Sequence, residues 1–209
     1  MIPDRLVVAT ANRGKLGELR ELVAEWGSVA IAGVDEFPAV VLPAEVGTTY
    51  AENARAKATA VMRATGLPAL GDDSGLEVDA LDGAPGVHSA RYAASDRERI
   101  AKLLAALRDV PEACRGARFV CAVAAVLCDG RVETAEGVCP GRIATVPAGR
   151  MGFGYDPVFV PEGYDRTLAE LGPEVKRTLS HRARAIRALG ERLDPIEGAR
   201  TLRRDTTPC

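Results

Sequence analysis

Leu67-Pro68-Ala69-Leu70-Gly71-Asp72-Asp73-Ser74-Gly75-Leu76-Glu77-Val78-Asp79-Ala80 is the stretch on which the fold turns. Residues 67–71 read as a short apolar strand and residues 76–80 as its resumption. Between them, Gly71-Asp72-Asp73-Ser74-Gly75 reads as an acidic turn. Just upstream, Thr49 and Glu52 have the spacing of a capping box and open an alanine-rich helix that runs to about Thr65. Gly66 and Pro68 stop that helix. Further upstream, Leu6-Val7-Val8-Ala9-Thr10 is a buried strand followed by the turn Ala11-Asn12-Arg13-Gly14-Lys15. A helix follows whose stripe is Leu16, Leu19, Leu22, Val23 and Trp26, ending at Gly27, and residues 29–33 suggest a second strand. Residues 35–47 are irregular.

Downstream of the acidic stretch, residues 81–88 form a Gly/Pro loop. Ser95 and Glu98 open another capped helix with Ile100, Leu103, Leu104 and Leu107 on one face. Residues 119–128 and 131–137 read as a β-hairpin turning at Asp129-Gly130. A glycine-rich segment covers 149–155, and a last helix runs from Ser180 to about Leu193. Strands alternating with helices predict an α/β fold with a mixed sheet. The simplest organisation is one unit over 1–195 with two lobes around a cleft, and a loose tail over 196–209.

The chain has 209 residues and a formal net charge of −2. That balance argues against gripping a nucleic-acid polymer, which needs a strongly basic face. It leaves room for a small anion held by a few local cations. No apolar run reaches the roughly 20 residues needed to span a bilayer, and no signal-peptide core is present. Cys114, Cys121, Cys128, Cys139 and Cys209 are odd in number and make no CxxC pair, so free thiols in a cytoplasmic protein are expected.

Four segments break local rules. Arg13 and Lys15 place cations at a helix start, against the dipole; they are either solvated or waiting for a phosphate. The spacing is not that of a P-loop. Asp72-Asp73-Ser74-Gly75 puts adjacent carboxylates between apolar runs, which is costly without compensation. Mg²⁺ with Glu45 as a second ligand would compensate; so would an ordinary turn in which Asp72 and Ser74 bond the backbone. Gly152-Phe153-Gly154-Tyr155-Asp156-Pro157-Val158-Phe159 concentrates scarce aromatics beside glycines, which suits either a base-stacking wall or a packed turn. Ser180-His181-Arg182, with Lys176 nearby, again sets cations at a helix start and suits an anion, a purine carbonyl or solvent. His88 stands alone and is read as structural. No spacing supports a Ser-His-Asp triad.

Together the segments resemble the inosine triphosphate pyrophosphatase family. The matching stretches are Thr10-Ala11-Asn12-Arg13-Gly14-Lys15, Glu52-Asn53-Ala54 with Lys57, Asp72-Asp73-Ser74-Gly75-Leu76, Gly83-Ala84-Pro85-Gly86, Ser89-Ala90-Arg91-Tyr92, Phe153-Gly154-Tyr155-Asp156-Pro157 and Ser180-His181-Arg182. The resemblance implies a two-lobed α/β fold around a long nucleotide-binding cleft, usually in a homodimer. It also implies Mg²⁺-dependent hydrolysis of ITP, dITP or XTP to the monophosphate and pyrophosphate. Under it, Asp73 is the general base and a metal ligand, with Glu45 as the other metal-associated carboxylate. Asn12, Lys15 and Lys57 contact the triphosphate, and Thr10, Ala11, Arg13 and Gly14 are substrate-binding beside them. Ser74, Phe153, Gly154, Tyr155, Asp156, Lys176, His181 and Arg182 contact the nucleoside. The family usually has glycine where this chain has Ala11, so an unusual backbone angle there would be strained.

Overall fold

Residues 2–194 are described by a computed structural model, so the expected tail over 196–209 lies outside the described residues. The strands are β1 (Arg5–Ala9), β2 (Ala30–Gly33), β3 (Ala69–Val78), β4 (Gly116–Val126), β5 (Val132–Ile143) and β6 (Phe159–Pro161). The helices are α1 (Arg13–Val23), α2 (Tyr50–Thr65), α3 (Asp96–Ala106), α4 (Leu168–Leu179) and α5 (His181–Leu193). All six strands share one sheet in the order β2-β1-β3-β4-β5-β6. β1 pairs in parallel with β2 and β3, and the remaining pairs are antiparallel. The expected mixed α/β sheet is therefore present.

The connections explain where a ligand belongs. The chain passes from β1 through α1 to β2 on one side, then through α2 to β3 on the other side of β1. The strand order thus reverses at β1. A crevice opens beyond the carboxyl end of such a strand, and open α/β sheets bind ligands there. Residues 10–15 follow that end directly.

The two sheet faces carry separate cores. Leu6, Val8, Leu70, Cys121 and Val123 pack under α1 and α5 through Leu19, Leu22, Ile186 and Leu189. Val7, Ala9 and Ala69 pack under α2 through Ala58 and Val61. The predicted capping boxes form: Thr49 Oγ1 accepts from the Glu52 amide at 3.2 Å, and Ser95 Oγ accepts from the Glu98 amide at 3.2 Å. Among the described residues, no helix is long and apolar enough to cross a membrane.

Two expectations need correction. First, Asp72-Asp73-Ser74-Gly75 is not a turn. β3 runs unbroken through it, and every residue from Ala69 to Val78 pairs with β4. The glycines that suggested a turn serve close packing instead. A Cβ on Gly71 would lie 2.0 Å from the Ala54 carbonyl oxygen, so only glycine lets α2 sit on the strand. Second, β6 and α4 were unforeseen. α4 hides behind Gly172-Pro173: Gly172 takes φ 84°, interrupting the helix, and Pro173 opens the segment that follows. Proline is tolerated at such a start because its missing N–H would have no helical partner there.

Candidate active site

Strand geometry, not turn geometry, decides what the acidic pair does. Successive side chains on a strand point to opposite faces. Asp72 and Asp73 are therefore separated by the sheet itself. β1 stops at Ala9, so beyond Gly71 that edge of β3 pairs with no strand and meets only an isolated bridge from Glu77 to Pro85. Both carboxylates lie at this bare edge, beside the crevice.

On the α2 face, Asp73 is 4% exposed. Asn53 Nδ2 donates to its Oδ2 at 2.9 Å, and Lys57 Nζ donates to its Oδ1 at 3.2 Å. Asn53 and Lys57 are one turn apart on α2, so both reach the same strand residue. Lys57 also donates to Glu45 Oε1 at 2.6 Å. Two carboxylates thus converge on one ammonium. Burial raises the Asp73 pKa, and the Glu45 charge adds to this, against the pull of Lys57, Lys15 and Asn53. Burial alone would lower the Lys57 pKa, but Asp73 and Glu45 reverse that, so the amine is charged.

On the opposite face, Asp72 is fully buried. Arg182 Nε donates to its Oδ2 at 2.9 Å, and the Cys121 thiol donates to the same oxygen at 3.0 Å. Lys15 pairs with Oδ1. Burial pushes the Asp72 pKa upward, but Arg182 and Lys15 outweigh it and hold the carboxyl well below its ordinary range. Arg182, 1% exposed, also donates to Ser74 Oγ at 3.0 Å and to Glu18. Glu18 Oε1 lies 2.7 Å from Lys176 Nζ, which donates to Asp156 Oδ2 at 2.6 Å. A chain of alternating charges therefore runs Lys15, Asp72, Arg182, Glu18, Lys176, Asp156.

A cavity of about 430 Å³ lies along this chain. Asn12, Lys15 and Ser74 line one part of it; Phe153, Lys176, His181 and Arg182 line another. At the first part, Asn12 Oδ1 caps α1 by accepting from the Lys15 amide at 3.0 Å, and Thr10 Oγ1 accepts from the Asn12 amide at 3.2 Å. Ala11 has no left-handed φ; Asp82 is the only non-glycine residue with positive φ among those described. The feared strain at Ala11 is absent. Arg13 is exposed at the rim.

At the second part, the expected residues divide. Phe153 and Gly154 line the cavity. Tyr155 is buried, donates its hydroxyl to the Ser89 carbonyl at 3.1 Å and forms part of the cavity wall. Asp156 is committed to Lys176 and to the Phe153 amide, which donates at 2.9 Å. His181 stacks on Phe119, with centroids 4.8 Å apart and planes 13° apart.

A family model described as the Ham1 family matches residues 6–192. The chain belongs to the Ham1 family. Among its relatives, a protein of Streptomyces avermitilis named dITP/XTP pyrophosphatase is 50% identical over 189 residues, covering 88% of this chain and 94% of that one. A protein of Geobacillus kaustophilus with the same name is 46% identical over 198 residues, covering 93% and 97%. The structure of a HAM1 protein from Coxiella burnetii superposes with a TM-score of 0.80 at 42% identity, covering 90% and 98%. That of a Mycobacterium abscessus nucleoside-triphosphatase, dITP/XTP pyrophosphatase, gives 0.71 at 44%, covering 88% and 98%.

Three polar residues of this Ham1 chain escaped the sequence reading of the site. Asn53 was quotable as a motif residue, yet its role was legible too: with Lys57 it interrupts the buried stripe of α2, Tyr50, Asn53, Ala54, Lys57, Ala58 and Val61. Glu18 and Asp96 carry no local signal. Their partners, Arg182 and Gly154, lie 164 and 58 residues away.

His181 also corrects the expected cluster of cations. Burial, then Arg182 and Lys176, hold its pKa well below 6.5, so the ring is neutral in the fold. The unfolded chain binds this proton near pH 6.5 and the folded chain does not. His181 therefore contributes a loss of stability as pH drops below about 6.5. In urea titrations between pH 7 and 5, His181→Phe, which keeps the stack on Phe119, should lose part of that slope. An unchanged slope would mean the imidazole is charged in the fold.

Proposed function

We propose that the protein hydrolyses inosine- and xanthosine-type purine nucleoside triphosphates (ITP, dITP, XTP) to the monophosphate and pyrophosphate, clearing them from the nucleotide pool. The observation that carries this is Asp73: a buried carboxylate with a raised pKa, bonded to Lys57, which also holds Glu45, and next along β3 to Ser74, which lines the cavity of about 430 Å³. A base works best when its pKa approaches the operating pH. Asp73 takes a proton from a water, which attacks the α-phosphorus in line, and pyrophosphate departs. Lys15 and Lys57 offset charge on the phosphates.

Asp73 and Glu45 suit Mg²⁺. They are hard oxygen donors, and among the described residues no group of three or more acidic, His or Cys side chains could cage a metal. Two carboxylates completed by substrate phosphates is the usual Mg²⁺ arrangement. When bound there, Mg²⁺ offsets phosphate charge and polarises the α-phosphoryl oxygen.

The base pocket supports purine selectivity. Lys176 and Arg182 present donors, and the neutral His181 leaves Nδ1 without a hydrogen-bond partner among the described residues. Hypoxanthine and xanthine offer a C6 carbonyl to such donors. Adenine offers an amino group, which sets a donor against those donors and forgoes the bond. We also take the enzyme to be a cytoplasmic homodimer; the buried thiols of Cys121 and Cys139 suit a reducing compartment.

A panel of ITP, dITP, XTP, ATP and a methylated pyrimidine triphosphate, assayed for pyrophosphate with and without Mg²⁺, tests the proposal. The first three should be preferred over ATP by at least about 100-fold in kcat/KM, because a mismatched buried donor discriminates strongly. Equal turnover of ATP and ITP contradicts the purine assignment, and turnover unchanged by chelation contradicts the metal.

A further inference from the structure

Gly14 is the second residue of α1, where glycine has no local justification. It is the poorest helix former after proline. Its backbone is not left-handed, so conformation does not demand it. The reason lies across the crevice. A Cβ on Gly14 would stand 2.7 Å from Cδ1 and 2.9 Å from Cε1 of Phe153. Carbon atoms pack at about 3.5–4.0 Å, so the ring rests where that methyl would be.

Other contacts fix the ring around this seat. Lys176 Nζ lies 4.3 Å from its centroid. Its own amide donates to Asp156, and the next amide, of Gly154, donates to Asp96 Oδ2 of α3 at 2.8 Å. The ring borders two cavities, the one of about 430 Å³ described above and another of about 510 Å³ between α1 and α4. It is a partition, and its position decides how much room a base has.

We infer that Gly14 is a specificity-determining positioning residue, which sets the place of the Phe153 ring and through it the dimensions of the base pocket. This rests on the reading of Phe153 as a wall of that pocket. Gly14 acts through the ring and not by touching phosphate. A methyl at position 14 displaces the ring, and a misplacement of about 1 Å in a binding wall is enough to weaken productive binding.

The experiment is a double-mutant cycle in ITP hydrolysis: the parent, Gly14→Ala, Phe153→Ala and the double variant, each with kcat, KM and a melting curve. Gly14→Ala should raise KM by about tenfold with kcat little changed, and the double variant should be no worse than Phe153→Ala alone. Melting should change little, because alanine's better helix propensity offsets much of the cost of displacing the ring. If the two single effects multiply in the double variant, Gly14 acts independently of the ring and the inference fails. It fails too if Gly14→Ala lowers melting and kcat while sparing KM, which is a structural role. If Phe153→Ala is impaired and Gly14→Ala matches the parent, the seat is wrong and the pocket reading stands. If Phe153→Ala itself matches the parent, the pocket reading falls and takes the seat with it.

Discussion

Asparagine in place of Asp73 should lower kcat for ITP by about 10³-fold, within the range lost when a positioned general base is removed. The substitution keeps the shape of a buried side chain and one acceptor oxygen for Asn53 or Lys57. Lys57 keeps its bond to Glu45 at 2.6 Å, so no bare charge is created on that face. KM should change far less than kcat, because Asp73 is needed for the attacking water rather than for holding the base. Steady-state kinetics of the variant, with Mg²⁺ raised well beyond the parent's requirement, check this. Rescue by metal would reduce Asp73 to a ligand, and parental kcat would remove it from the chemistry.

Alanine in place of Asp72 should instead cost fold stability, about 3–5 kcal/mol, the penalty for stripping one partner from a buried ion pair. Arg182 Nε, the Lys15 ammonium and the Cys121 thiol all lose their acceptor at once. In a chain of this size that corresponds to a melting temperature lower by roughly 6–20 °C. The carboxyl's depressed pKa gives the sign for pH. Its contribution is complete above the unfolded aspartate value near 3.9 and is lost as pH falls toward the folded value. Thermal denaturation of the variant at pH 7 is the check. A shift of a degree or two would mean that Arg182 is held by Glu18 and Ser74 alone.

The opposite fates expected for Asp72 and Asp73 show where the sequence was readable and where it was not. The elements came from periodicity and caps: the stripe of α1, the boxes at Thr49 and Ser95, and the Asp129-Gly130 hairpin all depend on neighbours within a few residues. The residues of the site were nameable for the same reason, as charges or glycines out of keeping with their surroundings. What they do was less legible. Gly71 and Gly75 imitate a turn because a glycine admitted for close packing looks the same in sequence as one admitted for a bend. Once the segment is a strand, the pair divides between two faces, and only then do Lys57 and Arg182 become separate partners. His181 looked cationic because its burial under Phe119 is a tertiary fact. α4 was missed because Gly172-Pro173 is ordinarily a stop. Glu18 and Asp96 act across more than fifty residues of chain, beyond any local pattern.

At the centre of the proposed chemistry, water attacks the α-phosphorus and pyrophosphate leaves. Hydrolysis of ITP in ¹⁸O-labelled water, with the products resolved by ³¹P NMR or mass spectrometry, tests it most directly. The label should appear in the monophosphate, leaving pyrophosphate unlabelled. Label in pyrophosphate, or release of orthophosphate as the first product, would place the attack on another phosphorus and contradict it.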